Sequence, residues 1–247
     1  MSRTLKTLPL TLALAALSVA TTSCGSTNRA QVRVINAIPD SGPTDIWVGG
    51  TRIASSLPFG AVFPTPAATA TYLGVASGVE TIQGFEPGDT TGPISPTGTA
   101  NLNGSTEYTV VAVGLELNDS PPLVLTDDNL APTAGNLEFR IVNASLSSPS
   151  NGVDVYIVPP GTDITNYTPQ ITALGSGQGS GYQPVPFIAG GYQLVVTANL
   201  KKIPLIPPQT SAAPTGSITT MVLIDNPILN GGNNGMSQTP LVLNDVN

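Results

Sequence analysis

The chain has 247 residues, with 8 basic and 15 acidic side chains, no histidine, one cysteine and one tryptophan. The lack of histidine excludes Ser-His-Asp and Cys-His nucleophiles and histidine-ligated metal sites, and a single cysteine excludes an intrachain disulfide or a cysteine-rich metal site. The net charge of −7 argues against nucleic acid as a partner, since nucleic acid binding needs a basic surface.

The composition also indicates the class of fold. Glycine and proline number 26 and 24, and only 9% of the residues are charged. Because Gly and Pro cost about 1 and 3 kcal/mol in a helix interior, long helices are disfavoured. Short strands joined by many turns fit this composition.

The N-terminal residues have the pattern of an export signal. Arg3 and Lys6 precede an apolar run from Leu8 to Ala20. This run is shorter than the roughly 20 residues that span a bilayer, but it fits a secretory signal peptide. We therefore expect residues 1–23 to be a lipoprotein-type signal peptide and residues 24–30 to be a short polar tether.

Two processing sites are compatible with this segment. Thr21-Thr22-Ser23-Cys24 resembles a bacterial lipobox, with Thr21 where leucine is usual, and lipidation would then anchor the chain to a membrane through Cys24. Cleavage after Ser18-Val19-Ala20 would instead release a secreted protein with a free thiol. We expect lipidation, since a secreted protein rarely keeps one unpaired thiol. By analogy with enteric bacteria, Gly25 in place of aspartate after the cysteine favours the outer membrane.

The rest of the chain contains short period-2 runs bounded by Gly, Pro, Asn and Ser, which predict strands. In the first half, strands are predicted near Gln31–Asn36, Asp45–Val48, Arg52–Ala54, Thr71–Val75, Val79–Gln83, Thr99–Leu102, Tyr108–Val113 and Leu123–Leu125. In the second half they are predicted near Glu138–Asn143, Val153–Val158, Gly181–Val185, Tyr192–Thr197, Ile218–Ile224 and Leu241–Leu243.

The two halves are copies of one another. Val-Arg-Val-Ile-Asn-Ala at Val32–Ala37 returns as Phe-Arg-Ile-Val-Asn-Ala at Phe139–Ala144, and further landmarks recur in the same order. The further matched landmarks are Asp45/Asp154, Tyr72/Tyr182, Ser77-Gly78/Gly190-Gly191, Tyr108–Val113/Ile218–Ile224 and Pro122–Asp127/Pro240–Asp245. We predict an all-β fold of two tandem Ig-like antiparallel β-sandwich domains, at residues 31–134 and 135–247, after an N-terminal signal peptide.

The segment from Val32 to Val48, followed by Phe59-Gly60, Tyr72 and Tyr108–Gly114, resembles a bacterial family called domain of unknown function 4397. The second copy matches less well, with Ser145-Leu146-Ser147 where the family has Ser-Pro-Asp. The resemblance implies tandem Ig-like sandwiches on the cell envelope or outside the cell. It implies no reaction and no cofactor.

Each copy places an acidic and an aromatic residue two positions apart on one strand, so that both side chains share a face. These pairs are Asp45 with Trp47 and Asp154 with Tyr156. An exposed pair of this kind could stack a sugar ring and accept its hydroxyl hydrogen bonds, so the four residues are candidate binding residues. In the alternative interpretation, the aromatic ring covers a second core edge and the aspartate caps a turn.

Other chemistry has weaker support. The oxygen-rich segments Asp40 with Asp45, Asp127-Asp128-Asn129 and Asn244-Asp245 could hold calcium, but none has EF-hand spacing, so no metal site is predicted. No motif singles out a pair of carboxylates for glycoside hydrolysis. The glycines from Gly175 to Gly181 are predicted to form a flexible loop rather than a phosphate site, since no lysine or helix pattern accompanies them.

These observations favour a non-catalytic envelope lipoprotein without cofactors, which binds or scaffolds a glycan or an envelope protein. A carbohydrate-binding or adhesive module is the alternative, and a hydrolase of unrecognised type is a remote one.

Overall fold

The chain folds almost wholly into strands. A computed structural model describes residues 28–65, 71–118, 120–227, 235–237 and 239–246, which form eighteen strands and a single 3₁₀ turn at Ile164–Asn166. The strands of the first half are β1 Ala30–Asn36, β2 Thr44–Val48, β3 Thr51–Leu57, β4 Val62–Phe63, β5 Leu73–Val75, β6 Gly78–Phe85, β7 Pro93–Leu102, β8 Glu107–Ala112 and β9 Leu123–Thr126. Those of the second half are β10 Asn136–Asn143, β11 Val153–Val158, β12 Ile171–Leu174, β13 Gln178–Gly179, β14 Gln183–Pro186, β15 Tyr192–Ala198, β16 Gln209–Ser211, β17 Ile218–Leu223 and β18 Leu241–Val246.

Each half forms its own pair of sheets. The first half has an inner sheet in the order β4-β1-β8-β9, with β5 also pairing with β1, and an outer sheet in the order β3-β2-β6-β7. The second half repeats both sheets strand for strand, as β13-β10-β17-β18 with β14 on β10, and as β12-β11-β15-β16. The predicted all-β fold with two β-sandwiches is therefore confirmed, and β1 to β9 correspond in order to β10 to β18.

One strand pair in each inner sheet is parallel rather than antiparallel. β1 runs alongside β8 with Asn36 opposite Ala112, and β10 runs alongside β17 with Asn143 opposite Leu223. The first strand of each sandwich is therefore central in its inner sheet and is covered on both faces. Most residues of β1 and β10 are accordingly buried, on both faces of the strand.

The alternating side chains of these central strands supply two different cores. Val32 and Val34 of β1 point into the core of the first sandwich, and Phe139 and Ile141 of β10 point into the core of the second. On the opposite faces, Ile35 and Val142 belong to a third apolar cluster that contains residues of both halves. The buried members of this interdomain cluster are Ile35, Ala37, Val111, Val113, Val142, Ala144, Val222, Ile224 and Leu243. The two sandwiches thus pack through their inner sheets.

Four strands lie outside the predicted ones, and each has a weak sequence signal. β4 and β13 are two residues long, β16 is the polar segment Gln-Thr-Ser, and β12 exposes its two middle residues. β13 corrects the prediction of a wholly flexible glycine-rich loop, because Gln178 and Gly179 pair with Asn143 and Val142 of β10.

The predicted tether ends earlier than residue 30. Ala30 is the first residue of β1 and is fully buried, and Arg29 donates a hydrogen bond of 2.8 Å to the carbonyl oxygen of Gly74. The predicted signal peptide and Cys24 lie outside the described residues. No helix within the described ranges is both long and apolar enough to cross a membrane.

Candidate functional site

The Asp45 carboxylate lies at the start of β2 and is almost completely buried. It accepts a hydrogen bond of 2.7 Å from the Ser56 backbone N–H and one of 3.2 Å from the Arg52 guanidinium. Desolvation opposes ionisation, but the Ser56 N–H and Arg52 outweigh it, and the pKa of Asp45 is held below its ordinary value. Asp45 therefore ties β2 to β3, where Ser56 adopts a left-handed φ of 48°.

Asp154 has the same role in the second sandwich. Its carboxylate is buried and accepts hydrogen bonds from the backbone N–H groups of Ala173 and Leu200, each at 2.9 Å, and from the Asn199 side chain at 3.0 Å. Ala173 and Leu200 both have left-handed φ angles, of 50° and 60°. A carboxylate that satisfies amides in such strained segments stabilises the loops at the end of the outer sheet.

The two aromatic partners differ in exposure. Trp47 is half-buried and meets Phe85 edge to face, with the ring centroids 6.0 Å apart. Tyr156 is 1% exposed, and the Lys202 ammonium lies over its ring at 4.5 Å from the centroid. Lys202 also donates a hydrogen bond of 3.0 Å to the carbonyl oxygen of Ile164, so this cation is held in place by its own loop.

The structure brings each predicted pair together on the face opposite its sandwich core, but it does not expose them. Asp45, Asp154 and Tyr156 are buried, and the two carboxylates are engaged by backbone amides. An exposed sugar platform made of all four residues is therefore absent. The geometry follows the alternative interpretation, in which the aspartates fix turns and the rings cover the outer sheet.

A group of buried charged side chains lies elsewhere, between the two inner sheets. Arg33 of β1 is 3% exposed and Arg140 of β10 is 2% exposed. They face Asp127, which directly follows β9, and Asp245, which lies within β18. The Arg33 guanidinium forms an ion pair with Asp245 of the other half and lies 3.4 Å from the Asp127 carboxylate of its own half. We call these four residues and their hydroxyl partners the Arg–Asp cluster.

Arg140 repeats this arrangement in the opposite direction. Its guanidinium contacts Asp127 of the other half at 2.7 Å and Asp245 of its own half at 3.8 Å. It also donates a hydrogen bond of 3.1 Å to the Thr126 carbonyl oxygen. Both arginines therefore make their shorter carboxylate contact across the interface, and the two halves exchange ion pairs.

Two threonines and two tyrosines complete the Arg–Asp cluster. The arginine Nε atoms donate to the hydroxyls of Thr109 at 2.7 Å and Thr220 at 3.0 Å, and these hydroxyls donate to the nearby aspartates. The phenol of Tyr72 donates to Asp127 at 2.7 Å, and that of Tyr182 donates to Asp245 at 3.0 Å. The guanidinium carbons lie over these two rings at 5.4 and 4.6 Å from the centroids.

The Arg–Asp cluster contains two arginines and two aspartates. Their charges affect the pKa values of neighbouring groups. Burial alone would lower the pKa of Arg33, but Asp245 and Asp127 raise it above its ordinary value. Burial and the adjacent aspartates raise the pKa of Tyr72 and of Tyr182 well above that of free tyrosine, against a smaller opposing effect of the arginines. At neutral pH Tyr72 and Tyr182 are consequently neutral phenols.

The sequence contained a signal for this cluster, although only the structure brings its members together. Arg33/Arg140, Tyr72/Tyr182 and Asp127/Asp245 occupy matched positions of the repeat, and each arginine lies between two apolar residues near the middle of its strand. A charged residue retained at the centre of such a strand in both copies indicates a buried partner. The sequence could not show that the partner belongs to the other copy.

The oxygen-rich segments considered for calcium have other partners. Asp127 and Asp245 belong to the Arg–Asp cluster, and Asp40 accepts a hydrogen bond of 2.9 Å from the Glu116 backbone N–H. Among the described residues, no group of three or more Asp, Glu or Cys side chains is arranged to hold a metal ion.

A family model provides the comparison that assigns this chain to a family. The model described as domain of unknown function (DUF4397) matches residues 30–156, which is more than half of the chain. The chain belongs to the DUF4397 family. The match covers the whole first sandwich and continues into the second copy of the repeat, through β10 and into β11.

Other comparisons with this DUF4397 protein are more distant. None of the curated proteins matches it. Among solved structures, a streptococcal virulence factor described by its alpha-glucan binding is similar at 10% identity and a TM-score of 0.27, over 87% of this chain and 97% of that chain.

Proposed function

We propose that this DUF4397 protein is a non-catalytic scaffold of the bacterial cell envelope, anchored through lipid on Cys24 and favouring the outer membrane. The observation that carries this proposal is the Arg–Asp cluster. It commits four charged side chains of the chain to joining two sandwiches, which suits a rigid body that holds or spaces other envelope components.

The short N-terminal segment supports a position close to the membrane. Ala30 is already a buried residue of the first sandwich, so at most five residues separate Cys24 from this point of the fold. A fully extended chain covers at most about 3.6 Å per residue, so roughly 20 Å is the limit of this reach. Two acyl chains would hold such a body stably at the surface, as lipid anchors with two chains do.

The anchor is tested on the mature protein. Mass spectrometry of the N-terminal peptide should show a diacylated Cys24, and the protein should fractionate with envelope membranes. The Cys24→Ser variant should move to the soluble fraction. An unmodified chain that starts at Thr21, or a cytosolic location, would overturn this part of the proposal.

Scaffolding is tested by hydrodynamics and by partner capture. Small-angle scattering should fit one fixed arrangement of the two sandwiches, and crosslinking in intact envelopes should recover the same partner with the wild type and with an Asp163→Asn surface control. A scattering curve that requires free movement between the sandwiches would contradict a rigid scaffold. Turnover of glycoside or ester substrates would contradict the non-catalytic role.

Carbohydrate binding is the second candidate, and it depends on Trp47, which is the partly exposed member of the four predicted residues. A glycan array separates the two functions. If the Trp47→Ala variant folds normally but no longer binds a glycan that the wild type binds, the protein is a carbohydrate-binding module. If the array shows no glycan, or if Trp47→Ala lowers stability without changing binding, the scaffold function stands.

A further inference from the structure

The two halves differ in side-chain size at the turn that follows β3 and β12. In the first half this turn contains Phe59-Gly60, and in the second half it contains Ser176-Gly177. The backbones are closely alike: Gly60 and Gly177 have φ angles of 73° and 72°, and their N–H groups donate to the carbonyl oxygens of Asn36 and Asn143 at 2.8 and 2.7 Å. Serine thus stands at the position that phenylalanine occupies in the other half.

The Phe59 side chain fills its position in the interface. It packs against the interdomain cluster, and the neighbouring Gly60 approaches Ile224 of the other sandwich closely enough that an added Cβ would lie 3.7 Å from that side chain. By the strand correspondence, the residue equivalent to Ile224 in the first half is Val113.

At the equivalent place beside Ser176 there is a cavity. Its volume is about 300 Å³, and it is open to solvent on one side. The first sandwich contributes Val113, Pro121, Pro122 and Leu123 to its lining, and the second contributes Leu146 and Ser176. The cavity therefore lies between the sandwiches, where the symmetry of the fold would otherwise place an aromatic ring.

We propose that this cavity is a binding site for a small uncharged molecule with one aromatic ring, which takes the place that Phe59 takes in the other half. The described residues that line it are apolar or carry small neutral polar groups, so they offer a charged ligand no ion-pair partner. An apolar cavity of about 150 Å³ is known to bind benzene, so about 300 Å³ accommodates a substituted ring. The serine hydroxyls at its margin provide donors and acceptors for one polar substituent.

The test uses benzyl alcohol as the probe and the full mature chain. Titration followed by NMR should show one site, with shifts of the Gly114 and Gly177 amide resonances and none at Gly60. Cyclohexylmethanol, which has a thicker ring, should bind at least tenfold more weakly. Equal binding of the two alcohols would overturn the aromatic class, and shifts elsewhere, or no binding at millimolar concentration, would overturn the site.

Two reciprocal variants exploit the symmetry. Ser176→Phe should fill the cavity, weaken binding at least tenfold and raise the melting temperature. Phe59→Ser should open the equivalent cavity, lower the melting temperature and give a second binding site with shifts at Gly60. Unchanged affinity in a folded Ser176→Phe protein would contradict the proposal. If that variant does not fold, the proposal is tested by two other results. These are the amide shifts of the wild type on titration and the number of sites in the Phe59→Ser variant.

Discussion

Arg33 and Asp245 lie 212 residues apart in the chain and form a buried ion pair across the two sandwiches. Arg33 belongs to the first strand of the first half, and Asp245 belongs to the last strand of the second half. The ion pair therefore forms only when the first strand of the first sandwich and the last strand of the second are both in place. Stability and domain arrangement depend on the same few side chains.

Removing one arginine should be strongly destabilising. Arg140→Met leaves Asp127 and Asp245 to share Arg33, and an uncompensated buried charge costs about 3–5 kcal/mol. Denaturant unfolding should show this loss. The matched control is Arg52→Met, since the Arg52 side chain is 48% exposed and its pair with Asp45 should contribute about 1 kcal/mol or less. Equal losses of unfolding free energy in Arg140→Met and Arg52→Met would mean that the Arg–Asp cluster is hydrated in solution.

Removing a complete pair should cost less than the sum of the two single changes. Arg33→Met and Asp245→Leu each leave a net buried charge, whereas the double variant leaves Arg140 opposite Asp127. We expect a coupling free energy of about 1–3 kcal/mol from a double-mutant cycle. The same cycle between Arg33→Met and Asp163→Asn should be additive to within about 0.5 kcal/mol, because Asp163 is exposed and bonds to Thr165.

Alkaline pH should lower the stability of the protein through its two partly buried phenols. The pKa values of Tyr72 and Tyr182 are raised in the folded state. Their contribution to the free energy of unfolding is therefore complete below about pH 10 and is lost as pH rises towards the folded-state pKa values. The slope is at most about 1.4 kcal/mol per pH unit for each tyrosine. Unfolding curves between pH 9 and 11.5 measure it.

The control for the alkaline effect is the double variant Tyr72→Phe with Tyr182→Phe. It should be less stable at pH 7, where two phenol hydrogen bonds are missing, and its stability should fall less steeply above pH 10. A parallel pH dependence of the wild type and this variant would contradict the assignment.

Acid should lower the stability of the first sandwich through protonation of Asp45. The pKa of Asp45 is depressed in the folded state, so its contribution is present above the ordinary aspartate pKa and is lost as pH falls through the folded-state value. Asp45→Asn should lower the free energy of unfolding at pH 7 by about 1–3 kcal/mol and flatten the fall below pH 4. A wild-type acid profile retained in Asp45→Asn would show that other carboxylates dominate.

Much of the fold was predictable because it follows from local patterns. The period-2 runs located the long strands, and the repeat of Val32–Ala37 in Phe139–Ala144 predicted two like sandwiches. The short strands β4 and β13 were missed, since two residues carry no periodicity. The candidate site was harder to predict. The positions of Asp45 and Trp47 on one face followed from the strand period, but their burial depends on loops from β3 and on the Phe85 ring.

The Arg–Asp cluster illustrates the same limit. Alternation along β1 assigns Arg33 to the face opposite Val32 and Val34, but no local rule states what covers that face. The answer depends on how two separate sheets pack, which is set by the whole interdomain cluster. Matched charged positions in a repeat therefore identify candidates for such contacts, and the structure decides the partners.

The reciprocal contacts have a consequence for the internal symmetry of the chain. Arg33 contacts Asp245 while its counterpart Arg140 contacts Asp127, the counterpart of Asp245. A patch that binds its own copy in this way is the mark of an isologous, two-fold symmetric dimer. The two sandwiches of this one chain thus pair as the subunits of such a dimer do, through the same arginine and aspartate positions of each copy.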